Sequence, residues 1–309
     1  MNSEDLVARL SSDDSSIRSE AVEDIGWADM GTALDALVAR LQIEPLQAVR
    51  EGIVATLARL SDPRVSACVA ALLAHEDAGV RNGALTILQK KGRGSLDAIQ
   101  RAFREGNADV RKLAIDATSR WDGSEIDELY EAALVDHDIN VRMSAVESIE
   151  EHGRSAFRER LEALFREESN PMMLSTLLSA LLVVGGDSTW SAIQARYPTL
   201  VSAPPHQRGL WIRALGQWAG PSGMDLLGDA VSRIPRNAKS ELFDAIRSLQ
   251  ERHPRMAVPE PVLDWLRSLS RAHDLTPLGR RIREWMATAL PLPDTIDTVR
   301  PLAARRGER

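Results

Sequence analysis

Residues 76–85 read EDAGVRNGAL: an acidic turn, then Val80, Arg81 and Ala84 on what would be one helical stripe. Aligned on its arginine, the phrase recurs as SSIRSEAVEDI at Arg18, QAVREGIVATL at Arg50, AGVRNGALTIL at Arg81, ADVRKLAIDAT at Arg111 and INVRMSAVESI at Arg142. The intervals are 32, 31, 30 and 31 residues. A sixth copy, PMMLSTLLSAL, has Met173 at the valine position and Leu174 where arginine stood. Self-similarity at a fixed period of this size marks a stack of like units, each recognising its neighbours.

Every copy sets an apolar residue before the arginine and others four to eight positions on, as in Val141, Ala145 and Ile149, which is one face of a helix. The helix is expected to start after Asp14, Asp77, Asn107, Asp138 or Asn170, whose side chains can accept from the free N–H groups of a first turn. Between copies lies a second amphipathic stretch, such as ALDALVARL, VSACVAALL, LDAIQRAF, IDELYEAAL and FRERLEALF. The unit is therefore a pair of antiparallel helices, with Gly26, Gly92, Gly94 and Gly153 at the turns.

The D-x-x-V-R-x-x-A phrase resembles the HEAT-like repeat family, in the short form named after phycobilisome lyases, over roughly residues 3–184. The resemblance implies an all-α fold, an α-solenoid superhelix whose second helices line the concave side. It also implies a structural ladder of Arg18, Arg50, Arg81, Arg111 and Arg142 with the turn acids between neighbouring units. Beyond Gly185 the phrase fades, but amphipathic stripes continue in TWSAIQARY, GLWIRALGQW, KSELFDAIRSL, PVLDWLRSL and LGRRIREWM. The expected organisation is regular repeats over 1–184, irregular helical repeats over 185–290 and a flexible tail over 291–309, about nine helix pairs in all.

Bulk composition agrees with a folded helical chain. Of 309 residues, 44% are hydrophobic and 27% charged, and with only 4 Phe and 2 Tyr strand signals are scarce. Cys68 is the single cysteine, which excludes an internal disulfide framework and a thiolate metal cage within one chain. The acidic opening MNSEDLVARLSSDD does not look like a secretory leader, and no apolar run reaches the ~18 residues of a membrane span. A cytoplasmic protein is expected. The net charge of -7 is divided: residues 1–190 hold 20 Lys and Arg against 33 Asp and Glu, and residues 191–309 hold 18 against 12.

Two columns of the phrase helix point away from its apolar stripe. One reads Glu23, Ala55, Thr86, Asp116 and Glu147, the other Ser19, Glu51, Asn82, Lys112 and Met143. They suggest an acidic cradle for a basic segment of another protein, with Glu23, Glu51, Asp116 and Glu147 as contacts; a plain solvated face is the alternative. Trp121 and Asp122, in the acidic stretch WDGSEIDELYEAALVDHD, are further candidates for partner binding. In the second half Arg208, Arg213, Arg280, Arg281 and Arg283 are candidates for anion binding beside Trp211, Trp218 and Trp285, although tryptophan at helical spacing beside Leu and Ile also suits a core.

Catalytic signatures are missing: no G-x-x-x-x-G-K, no G-x-S-x-G, no H-E-x-x-H. His75 and Glu76 resemble the metal-binding His-Glu pairs of the HEAT-like deoxyhypusine hydroxylases, but the pair occurs once, and no metal or cofactor is expected. The expected function is a protein-binding scaffold or assembly factor without chemistry of its own. Two alternatives stay open: a cofactor- or bilin-handling lyase or chaperone subunit, and a nucleic-acid-binding or DNA repair protein of HEAT-like fold. Trp121 with Asp122 has the look of the latter, but the acid around them would repel a duplex.

Overall fold

In the computed structural model the described residues are 3–186, 188–231, 233, 238–273 and 276–289; the tail expected over 291–309 lies outside them. They form two units, residues 1–184 and 185–309. The first holds α1 (Ser3–Arg9), α2 (Ser15–Trp27), α3 (Leu34–Ile43), α4 (Gln47–Arg59), α5 (Val65–Ala70), α6 (Ala78–Lys91), α7 (Leu96–Glu105), α8 (Ala108–Thr118), α9 (Ser124–Leu134), α10 (Ile139–Glu151), α11 (Arg158–Glu167) and α12 (Pro171–Val184). The second holds α13 (Thr189–Arg196), α14 (Arg208–Trp218), α15 (Gly223–Ala230), α16 (Lys239–Arg252), α17 (Glu260–Ala272) and α18 (Pro277–Ala289). Among the described residues there is no strand, and the helices make nine pairs.

In the first unit the even-numbered helices are the phrase helices, and each packs on the next: α2 on α4, α4 on α6, α6 on α8, α8 on α10 and α10 on α12. Their phrase valines and alanines explain why. Val49, Val80, Val110 and Val141 are buried together with Ala84, Ala114 and Ala145, and the odd helices close over them with Leu37, Leu41, Val65, Val69, Ile99, Phe103, Leu161 and Phe165. No single pair could hide these faces, so burial, at roughly 25 cal/mol per Å² of apolar surface, favours stacking.

Helix starts follow the residue types. The Asp14, Asp77, Asn107, Asp138 and Asn170 side chains accept from N–H groups of their first turns, at 2.6–3.2 Å. The exception is α4, where Leu46 occupies the cap position with φ -90° and ψ 122° and offers no acceptor. Leu46 is half-exposed, so little packing would be lost on replacing it. Leu46→Asn is expected to stabilise the chain by about 1 kcal/mol, seen as a higher urea midpoint with unchanged slope. An unchanged midpoint would mean that α4 gains nothing from a cap.

The repeated arginines do two jobs. Each turns back onto the turn that precedes its own helix and donates to carbonyls five or six residues earlier: Arg18 to Ser12 and Asp13, Arg50 to Glu44, Arg81 to His75 and Glu76, Arg111 to Gly106, Arg142 to Asp136 and His137. Three of them also reach a carboxylate in the turn of the following unit. Arg18 grips Glu44 with two bonds of 2.9 Å, Arg111 grips Asp136 with bonds of 2.7 and 2.8 Å, and Arg142 lies 3.8 Å from Glu168. The position six before the phrase arginine, or before Leu174 in the sixth copy, thus holds Glu44, His75, Glu105, Asp136 and Glu168 from the second copy on. At His75 the ring Nδ1 accepts from the Asp77 N–H at 3.0 Å, the same backbone service that Asp136 gives Asp138, but it supplies no carboxylate to Arg50. Among the described residues neither Arg50 nor Arg81 has a carboxylate within 4 Å, although the Asp77 pKa, lowered first by the two backbone N–H bonds that Asp77 accepts, is lowered further by the Arg50 charge.

The second unit is packed by large aromatics. Trp211 of α14 is fully buried, stands edge-to-face against Trp190 of α13 at 5.6 Å between centroids, and donates from Nε1 to the Tyr197 carbonyl at 2.9 Å. Gly216 lets α14 press onto α16, since a Cβ there would fall 2.5 Å from the Ala245 Cα. Arg252 of α16 donates to the carbonyls of Gly216 and Ala219, closing the C-terminal end of α14. Trp285 of α18 is buried edge-to-face on Phe243.

Candidate functional site

On the even helices of the first unit one stripe stays out of the core. It contains Glu23 on α2, Glu51 and Ala55 on α4, Asn82 on α6 and Glu147 on α10, all exposed, with Ser19, Thr86, Lys112, Asp116 and Met143 half-buried beside them. Both columns expected from the phrase therefore share a face. Their charges are not equally available. Among the described residues Glu23 and Glu147 are bound to no other side chain, and Glu51 accepts from Gln47 at 2.8 Å. Asp116 is committed, because Lys112 one turn earlier pairs with it at 2.7 Å and the Ser144 hydroxyl of α10 donates to it. Acid is concentrated toward the two ends of this face.

Between α4 and α6 the face opens into a groove of about 480 Å³. Its floor is made of small side chains, Ala55, Gly79, Gly83 and Val54, and its walls carry Arg50, Glu51, Asn82, Thr86 and Lys90. The depth comes from the residue sizes, since the phrase positions that hold Asp109 or Leu113 on α8 hold Gly79 and Gly83 on α6. Such a site has an apolar floor, amide and hydroxyl groups on one wall and charges of both signs at its ends, which suits a polypeptide segment. Sequence reading passed over Gly79 and Gly83 as groove residues; two glycines in a single phrase copy were the available signal.

The other expected site residues lie elsewhere. Trp121 is buried, with its carbonyl accepting from Arg154, while the Asp122 side chain is 88% exposed and 3.5 Å from Arg154. The indole is thus part of the packing and only the acid is presented. In the second unit Arg213, Arg280, Arg281 and Arg283 are exposed, and Arg208 is half-buried with Nε donating to the Ala203 carbonyl. They do not form one cluster. Arg281 pairs with Asp244 and lies over the Phe243 ring, and Arg283 lines a cleft of about 320 Å³ between α17 and α18 with Arg267 and Arg271. Among the described residues no three of His, Cys, Asp and Glu are grouped as metal ligands would be, and no helix is long and apolar enough to cross a membrane.

Comparison with known proteins agrees with this architecture. Residues 3–89 match the family of HEAT repeats. No curated protein matches the sequence. Among solved structures, YIBA_ECOLI, a protein of Escherichia coli, superposes with a TM-score of 0.50 at 15% identity, over 81% of this chain and 93% of that one. An engineered protein gives 0.47 at 17% identity, over 93% and 88%. The CpcE and CpcF complex of phycocyanin lyase from Nostoc sp. PCC7120 gives 0.31 at 16% identity, over 81% and 94%. At these identities likeness speaks to the fold alone. The first three helix pairs of this chain match HEAT repeats and the next three are built on the same phrase, so the chain is similar to HEAT-like repeat proteins over its first unit.

Proposed function

We propose that the even-helix face of the first unit binds a segment of another protein, and that the chain works as a scaffold or assembly factor without chemistry of its own. The carrying observation is the α4–α6 groove, about 480 Å³ with a floor of small residues, set in a face whose acids Glu23, Glu51 and Glu147 are exposed. A segment lying in the groove would meet Asn82 and Thr86 with its backbone. Basic side chains of the same partner would meet the acids, which speed and orient docking more than they add affinity.

The test compares the native chain with a Glu23→Lys, Glu51→Lys, Glu147→Lys variant as bait in lysate of the native host, at low and high salt. A stoichiometric protein is expected on the native bait at low salt. It should be lost at high salt, where surface charges are screened, and lost from the variant at both. Equal retention by the variant would remove this face from the reading, and a visible chromophore on the native bait in place of a protein would overturn the scaffold function.

A further inference from the structure

Toward the C-terminal ends of α2, α4, α6 and α8 the even-helix face changes chemistry. Nine positions after each phrase arginine stand Trp27, Arg59, Lys90 and Arg120. All four are exposed, and Trp27, the last residue of α2, is 81% exposed. The four helices pack in order, so the side chains form a row along one edge. The Arg59 guanidinium reaches the end of α2, since a Cβ on Gly26, next to Trp27 in the chain, would fall 2.7 Å from its Nη2.

Among the described residues none of the three cations has an acid within 4 Å. The acids of this edge are already engaged: Asp29 accepts from the Ser61 N–H, Asp62 is gripped by Arg64 at 2.7 Å, and Asp116 is held by Lys112. Lys91, next in sequence to Lys90, turns the other way and donates to the Leu60 carbonyl. Cations at helix C-terminal ends suit the helix dipole, but the dipole explains neither their lack of counter-ions nor an exposed indole heading the row. Charge is also segregated along the chain: residues 51–120 hold 11 Lys and Arg against 8 Asp and Glu, while residues 1–50 hold 4 against 10 and residues 121–184 hold 5 against 14.

We propose that this edge docks an extended acidic segment of another protein, with carboxylates on Arg59, Lys90 and Arg120 and an apolar side chain covering Trp27. Packed helices stand about 8–10 Å apart. A chain in the extended polyproline II conformation advances about 3.1 Å per residue with three residues per turn, so an acid at every third position falls on one side at the matching spacing. A protein segment is favoured over nucleic acid because the basic stretch is short and flanked on both sides by strongly acidic ones, which repel a continuous phosphate backbone. The row borders the even-helix groove, and Lys90 lines both, but it takes a partner of opposite charge from the one Glu23, Glu51 and Glu147 would take.

The probe is a fluorescein-labelled peptide of about twelve residues, repeating Glu-Gly-Ser with Leu at one end, followed by anisotropy with the full chain at low salt. Binding is expected for this peptide and not for its Lys-Gly-Ser counterpart. Arg59→Gln, Lys90→Gln, Arg120→Gln together should weaken it about tenfold or more, and Trp27→Ala by a smaller factor. The changed side chains are all exposed, and circular dichroism melts check that the variants fold. The Glu23→Lys, Glu51→Lys, Glu147→Lys chain should bind the acidic peptide at least as well as the native one, which separates this proposal from the function proposed above. Absent binding, or binding unchanged by the triple glutamine variant, overturns the proposal. So does a single-stranded oligonucleotide of similar length that binds more tightly and is lost in the same variant.

Discussion

Glu44→Ala is expected to destabilise the chain by about 3–5 kcal/mol, the range for breaking a buried ion pair by removing one partner. Glu44 is fully buried although it sits in the turn between α3 and α4, and it accepts from Arg18 at 2.9 Å, from Arg40 at 2.7 Å and from the Leu46 N–H at 3.0 Å. Removing it leaves the Arg18 guanidinium, in a residue only 4% exposed, without its counter-charge. Burial by itself would raise the Glu44 pKa, but the two guanidinium bonds and the backbone N–H outweigh it and hold the group at about 2, against 4.5 unperturbed.

The sign of the pH dependence follows. A folded-state value below the unfolded one gives stability that is present above pH 4.5 and lost as pH falls toward about 2. Urea midpoints measured across that window should drop more steeply for the native chain than for Glu44→Gln, which cannot titrate. A cost below about 1 kcal/mol for Glu44→Ala would class the pair with ordinary exposed ones and sink the argument.

Trp211→Ala is expected to cost a similar amount, about 3–5 kcal/mol, by a different route. The indole fills the space between α13 and α14, and its loss would leave a cavity against Trp190 and an unpaired Tyr197 carbonyl. Trp211→Phe keeps most of the volume and removes the donor, so it should cost about 1–2 kcal/mol, the range of one buried hydrogen bond. Denaturant unfolding followed by hydrogen exchange in α13, α14 and α16 reads both. If the two variants cost the same, packing at this position contributes little.

The period, the helix pairs and the caps were legible because they depend on residue type at fixed spacing: Val and Ala for the stripe, Asp or Asn before the first turn. Glu44 shows where legibility stopped. An acid six positions before an arginine looks like surface charge, and only the fold shows it buried under two guanidinium groups. The bonds from each arginine to its own turn were equally hidden, since backbone carbonyls leave no mark in the sequence. His75, half of a lone His-Glu pair from which no metal was expected, stands in a turn and accepts from the Asp77 N–H as Asp136 does from Asp138. Tryptophan misled in both directions: Trp121 beside Asp122 suggested a presented pair but is buried, while Trp27, which drew no notice, is the exposed one. Residue type says that an indole is large and apolar; which side of a helix end it leaves by is set by the packing of the next unit.

The way each arginine closes its own turn has a consequence for how such a chain can change in length. Arginine and the carbonyls it binds lie within six residues of one another, so they are inherited together. Loss or duplication of one complete period of about thirty residues carries every turn across with its own closure intact and leaves an even helix facing an even helix. A deletion that falls between an arginine and its carbonyls leaves both without a partner, and any other partial deletion breaks the even-to-even register. The locally made bond thus turns gene length into a quantity counted in whole units, and it lets individual units lose their acid, as at His75, without the fold losing its turn.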